Sequence, residues 1–343
     1  MPGTDPLLLD EISLLLVWTA VAIYVLAFIA YAIDLARRSD LAIKAKDEVV
    51  ARELVTAGGG GVIDASGGGS ASGASASGVS SAKPRYLWAR MGTALIALGF
   101  LFHLAATVLR GIAAERVPWS NMYEFALTGV LLVVAVYLVA LTRFDLRFLG
   151  SLISGLAVVL LGGATLAFHV EVVPLADPLK SVWLVIHVFV ASLATALFAL
   201  AFGLSVMQLL QARRERKLAI AASTDAAPPR RSFLQTLPNA DALESLAYRF
   251  AIVGFIFWTF TLIAGSIWAN DAWGRFWGFD TKEVWTFVIW VLYAGYIHAR
   301  ATRGWRGTRS AWLSIIGFVA VLFNFTIVNV FFKGLHAYSG LTS

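Results

Sequence analysis

Residues Trp273–Trp290 read WGRFWGFDTKEVWTFVIW, and the rest of the chain is arranged around them. Four aromatics, Trp273, Phe276, Trp277 and Phe279, fall within seven residues, two glycines let flat surfaces approach the backbone, and Asp280, Lys282 and Glu283 follow at once. Such a stretch makes a platform for a large flat ligand. It also opens an apolar run that continues into a helix.

The surroundings of that run decide the fold class. With 59% hydrophobic and 14% charged residues and a mean hydropathy of +0.77, the 343-residue chain is far more apolar than a soluble globular domain, and its apolar runs reach the length a bilayer span needs. We read an all-α, polytopic integral membrane bundle of about eight spans, near 12–35, 87–110, 121–141, 148–168, 181–210, 250–269, 284–299 and 311–332. The seventh is short and polar-edged and begins inside the aromatic stretch.

Lys and Arg placement orients the bundle, because cytoplasmic loops collect them. With the N-terminus outside, the inner segments hold 21 of the 27 basic residues, leaving only Arg110, Arg116, Lys180, Arg275, Lys282 and Lys333 outside. Both termini and the aromatic stretch are then extracytoplasmic, in a cell (plasma) membrane protein bathed in lipid. The formal charge of +6 reflects this topology and not nucleic-acid binding.

The chain divides into an N-terminal transmembrane anchor (1–36), a flexible cytoplasmic linker (37–86) and a membrane domain (87–343). Asp5, Asp10 and Glu11 with no basic leader make the first run a retained span rather than a signal peptide. The linker begins charged and helix-compatible, then becomes GGGGVIDASGGGSASGASASG, a composition that cannot bury a core. The first span is therefore expected to be loosely tethered.

Candidate ligands come from the five histidines. His169, His187 and His336 fall at the outer face, while His103 and His298 lie within spans, where an ionisable group marks function by default or is satisfied by a neighbouring helix. Haem iron is commonly held by imidazole and its macrocycle stacks on aromatic rings, so His187 and His336 can clamp a haem over Trp273 and Trp277. His103 and His298 can form a second pair, although 1.5 Å per residue puts His103 roughly 20 Å from Arg90 and His298 about 3 Å from Arg300. An aromatic belt around an unrelated transporter explains the same residues. Asn324 and Asn329 suit interhelical hydrogen bonds. The loop VPWSNMYEF offers Ser120 or Asn121 as a cap, with Glu124 in the first turn after it.

From Ala242 to Gly340, together with VPWSNMYEF and VWLVIHV, the sequence resembles the ResC/CcsA family of system II cytochrome c biogenesis, haem-handling proteins with a tryptophan-rich WWD loop. The resemblance implies outer haem ligands at His187 and His336, membrane ligands at His103 and His298, and a WWD site that includes Trp273, Trp277, Phe279, Asp280 and Trp285. His169 matches no family position, and Phe279 and Thr281 stand where the family usually has Trp and Pro. It further implies haem b as bound substrate, moved across the membrane and presented to a CXXCH apocytochrome c, a ResB-like partner, and thiol-reducing proteins acting on the apocytochrome. A haem exporter or chaperone without ligase activity, and a transporter that binds no haem, remain the alternatives.

The topology makes a direct prediction. In this chain without cysteine, a Cys placed at Ser339 reacts with an impermeant thiol reagent from outside and one at Gly307 does not; the reverse labelling would invert every placement above.

Overall fold

The computed structural model describes residues 5–58, 86–172, 174, 177–224, 232–302, 304–332 and 334–335, with side chains described for 5–38 and, except at 178, from 86 onward. Its helices are α1 (Pro6–Gly58), α2 (Leu87–Ala113), α3 (Met122–Leu141), α4 (Gly150–Ala157), α5 (Gly163–Phe168), α6 (Val182–Thr224), α7 (Ala240–Trp273), α8 (Thr281–Thr302), α9 (Thr308–Phe323) and α10 (Asn329–Phe331). Wide π-helical turns, Val158–Gly162 and Asn324–Val328, join α4 to α5 and α9 to α10. Among the described residues there is no strand. The all-helical membrane architecture read from the sequence holds.

Among the described residues seven helical segments are long and apolar enough to cross a membrane, and α8, seventh in chain order, brings the total to eight. Its 22 residues reach about 33 Å. Lys282, Glu283, Arg300 and its indole and phenol side chains lower its hydropathy, so packing on α7 and α9 and not composition identifies it.

The first helix is not loosely tethered. α1 lies along α2 and against α4, with Tyr24 and Tyr31 seated over Gly99 and Gly92; a Cβ at Gly99 would come within 2.7 Å of the Tyr24 ring. Small residues let membrane helices approach this closely. The helix also continues beyond 36 to Gly58, while the Gly-rich run from 59 to 85 lies outside the described residues.

Two polar clusters close the ends of the bundle. At one end the Glu244 carboxylate of α7 accepts from Arg300 Nε of α8 (3.0 Å) and from the Gly307 N–H (2.7 Å), tying the α8–α9 turn to the bundle. At the other, the Arg110 guanidinium, wholly buried at the end of α2, donates to Asp10 of α1, to Glu124 of α3 (3.1 Å) and to the Val170 carbonyl (2.9 Å). Arg116 holds the second Glu124 oxygen at 2.6 Å. Two guanidinium groups against two carboxylates make that cluster formally neutral.

Removing one partner of a buried ion pair leaves an uncompensated charge and costs about 3–5 kcal/mol. Arg110→Met should therefore lower the unfolding midpoint of the detergent-solubilised protein sharply, as read by tryptophan fluorescence. Asp10→Asn should cost less, because Arg110 keeps Glu124; an unchanged midpoint for Arg110→Met would show that the cluster does not hold the end of the bundle.

Candidate functional site

The loops α2–α3, α5–α6 and α7–α8 gather at the Arg110 end. There Trp268, Leu179, Leu184 and Val188 form a second small core, packed by Trp119, Trp183 and Trp273. The aromatic stretch is built across this core by specific local chemistry. Gly274 ends α7 with a left-handed φ of 68°, its N–H donating to the Asn270 carbonyl, so the chain turns sharply outward. It re-enters at Asp280, which caps α8: the Asp280 carboxylate accepts from the Lys282 N–H (3.3 Å), and Glu283 reaches back to the N–H groups of Asp280 (3.1 Å) and Gly278 (2.8 Å). This is a capping box with Asp in the capping position. The other Asp280 oxygen accepts from the Leu335 N–H at 3.0 Å, docking the segment after α10 on the loop.

Those bonds fix which rings face outward. Phe276, Trp277 and Phe279 are 60%, 38% and 80% exposed, and the Phe279 backbone is held at a φ of 57°, a conformation disfavoured for any residue with a large side chain. Trp277 meets Phe279 and Phe287 edge-on, at 6.1 and 6.4 Å between ring centres. The other indoles of the stretch turn inward. Trp273 packs edge-on against Trp268 at 4.9 Å, and Trp285 lies against Phe323 of α9 at 4.5 Å.

His187 stands beside this loop, in the second turn of α6. Its Nδ1 lies 2.9 Å from the Thr261 carbonyl, which can only accept, so Nδ1 carries the proton and Nε2 is the basic nitrogen. The ring stacks on Trp268, 5.9 Å between centres and 20° from parallel. Gly265 makes room for it: a Cβ there would sit 2.7 Å from the imidazole. Three open cavities meet at His187 and at Lys282. The first runs into the bundle between α3, α6, α7 and α9 with mostly apolar walls; Trp277 and Phe276 line the second and Trp119 the third.

The other histidines are placed differently. His103 is fully buried, with Nε2 bonded to the Leu127 carbonyl (2.8 Å) and Nδ1 within reach of the Tyr24 hydroxyl (3.2 Å), so both nitrogens are occupied. His298 is exposed on α8. α2 packs with α1, α3 and α4 and α8 with α7 and α9, so the structure does not bring His103 and His298 together. His169, just past α5, lies edge-on to Tyr123 at 4.8 Å and 4.0 Å from Asp10; burial lowers its pKa, with Asp10 opposing the shift. His336 lies outside the described residues.

Sequence reading missed Trp268 and gave Lys282 no role. The signal for Trp268 was its helical spacing from Thr261 and Gly265, which puts all three on one face of α7 with His187. Asn324 and Asn329 do bond between helices, to Thr286 and Lys282 of α8.

Residues 119–336 match the family model described as Cytochrome C assembly protein. The cytochrome c biogenesis protein CcsA of Guillardia theta is 34% identical over 242 residues, covering 68% of this chain and 80% of that protein. Its counterpart in Synechococcus elongatus is 33% identical over 282 residues, covering 72% and 87%. A solved structure titled Cytochrome c Heme Lyase CcmF superposes on 95% of this chain with a TM-score of 0.58 at 16% identity, a likeness of fold, and the chain spans 47% of its length.

The capping box predicts how Asp280 responds to substitution. Asparagine caps a helix as well as aspartate but offers one oxygen for the two N–H groups that Asp280 accepts, so Asp280→Asn should lower the unfolding midpoint less than Asp280→Ala, whose lost cap alone should cost about 1 kcal/mol. Equal losses for the two variants would mean that the Asp280 charge, and not its cap, is what the loop needs.

Proposed function

Because the chain belongs to the cytochrome c assembly protein family, in its CcsA/ResC branch, and so serves cytochrome c biogenesis, we propose that it binds haem at His187 under the aromatic loop and presents it for covalent attachment to an apocytochrome c. The observation that carries this reading is the meeting of three cavities at an imidazole with a set tautomer, stacked on Trp268 and flanked by exposed aromatic rings.

The donor set fits the substrate. An imidazole whose Nδ1–H is fixed by a carbonyl directs Nε2 at a metal and gains basicity from that bond. His336 directly follows Leu335, whose N–H is bound by Asp280, and supplies the ligand for the opposite face of the macrocycle. Phe276, Trp277 and Phe279 cover the porphyrin with ring surface.

Attachment joins each haem vinyl group to a thiol of a CXXCH segment: the S–H adds across the C=C bond, a thioether forms, and no electrons are gained or lost. This chain has no cysteine, so both thiols come from the apocytochrome and are kept reduced by other proteins. A ResB-like membrane partner completes the complex. The loop faces the extracytoplasmic side of the cell membrane, where the apocytochrome folds. His103 is left out of the haem route here, because its two nitrogens are already bonded within the bundle.

Replacing a ligand with glycine opens one axial position that added imidazole can refill. His187→Gly and His336→Gly should each weaken haem retention and stop cytochrome c maturation, with both restored in part by imidazole in the medium. Trp277→Ala should not respond to imidazole, since it removes stacking area and not a ligand. An unchanged bis-histidine spectrum in His187→Gly without imidazole would rule His187 out as the ligand.

A further inference from the structure

Lys282 stands in the first turn of α8, where the helix dipole already places positive partial charge. It borders each of the three cavities that meet at His187, a property it shares with His187 alone. Its ammonium donates to Oδ1 of Asn329. That amide is oriented from its other end, since Nδ2 of Asn329 donates to the Phe325 carbonyl 2.7 Å away in the π-helical turn. A neutral amide accepts one of the three N–H bonds of an ammonium and cancels none of its charge.

The neighbouring carboxylates accept backbone N–H groups, and the Asp280 charge also acts on the ammonium through space. Glu283 accepts from the Gly278 and Asp280 N–H groups, and Asp280 from the Lys282 and Leu335 N–H groups. Among the described residues, no Asp or Glu oxygen comes within ion-pair distance of the Lys282 nitrogen. The Arg110 cluster at the same end is different, with two cations against two anions. A half-buried cation beside largely apolar cavities, offset only through space by Asp280, is favourable to an anion that enters them.

We infer that Lys282 receives a carboxylate of the ligand: it pairs with a propionate of the haem held by His187, and so sets the rotation of the macrocycle in the site. This rests on the haem reading above. An axial nitrogen fixes the iron but not the rotation of the ring about the iron–nitrogen bond, and aromatic faces accept any rotation. One charged contact away from that axis removes the freedom. With the propionate edge drawn inward to Lys282 and Asn329, the vinyl-bearing side of the macrocycle is left toward the exposed rings of the loop, where a thiol can reach it.

The test titrates the full-length, detergent-purified chain with haem and with haem whose propionates are both methyl esters, following the Soret band. The unchanged chain should bind the free acid about tenfold or more tightly than the ester, the usual gain of a charge-assisted hydrogen bond. Lys282→Gln should bind acid and ester alike, at the affinity of the unchanged chain for the ester and with the Soret maximum in place, because His187 is untouched. Lys282→Arg should keep the preference. Equal binding of acid and ester by the unchanged chain, which is also the outcome if Lys282 pairs with an anionic lipid headgroup, overturns the inference and leaves the His187 reading standing. A chain that binds neither overturns both. The ester comparison needs no variant, so it decides the matter even if Lys282→Gln fails to fold.

Discussion

The buried guanidinium of Arg110 is the constraint on which the His187 end of the bundle depends. A charge with no exposed surface cannot be left alone in a membrane protein, and Arg110 is satisfied only when α1 brings Asp10, α3 brings Glu124 and the chain after α5 brings the Val170 carbonyl to one place. Glu124 carries that order further, because one of its oxygens also accepts from the N–H and hydroxyl of Ser120 at 2.9 Å. The loop before α3 is thereby held, and with it Trp119, which packs on the core beneath His187. An ion-pair cluster thus fixes one wall of the cavities at His187.

The two π-helical turns do related work on the opposite wall. An α-helix with one wider turn opens its regular ladder and shifts the residues that follow around the axis, and such turns are frequent at functional sites. Leu160 of the first turn and Asn324 and Phe325 of the second all line the large cavity. The second turn also presents the Phe325 carbonyl to Asn329, so its irregular backbone is repaid by a side chain that goes on to contact Lys282. Here backbone geometry and site chemistry are one arrangement.

This division explains what the amino-acid pattern reveals and what it hides. Hydropathy finds the spans, because burial in lipid depends on composition summed over a window; it finds seven cleanly and underrates α8, whose polar first turn belongs to the site. Residue chemistry singles out His187 and the aromatic loop as candidates. What it cannot read is pairing. His103 looks like a ligand until Tyr24 and Leu127 are seen to occupy its nitrogens, and α1 looks like a detached anchor until Tyr24 and Tyr31 are seen over the glycines of α2. Arg110 and Lys282 are two basic residues in a charge count, yet one is neutralised by ion pairs and the other donates to an amide.

Within the aromatic stretch the same logic separates rings that hold from rings that present. Trp273 and Trp285 pack inward on Trp268 and Phe323, so they set the positions of the helix ends. Phe279 does the opposite: it sits at a positive φ that costs about 1–3 kcal/mol for a residue with a side chain, and it leaves its ring in the open. Folding alone would place a glycine or asparagine there. The strain persists because the bonds from Glu283 to Gly278 and Asp280 fix the backbone on both sides of Phe279. A ring held outward by the backbone keeps its place before a ligand arrives, so little ordering remains to oppose binding. The capping box that starts α8 is therefore also what preorganises the aromatic face above His187.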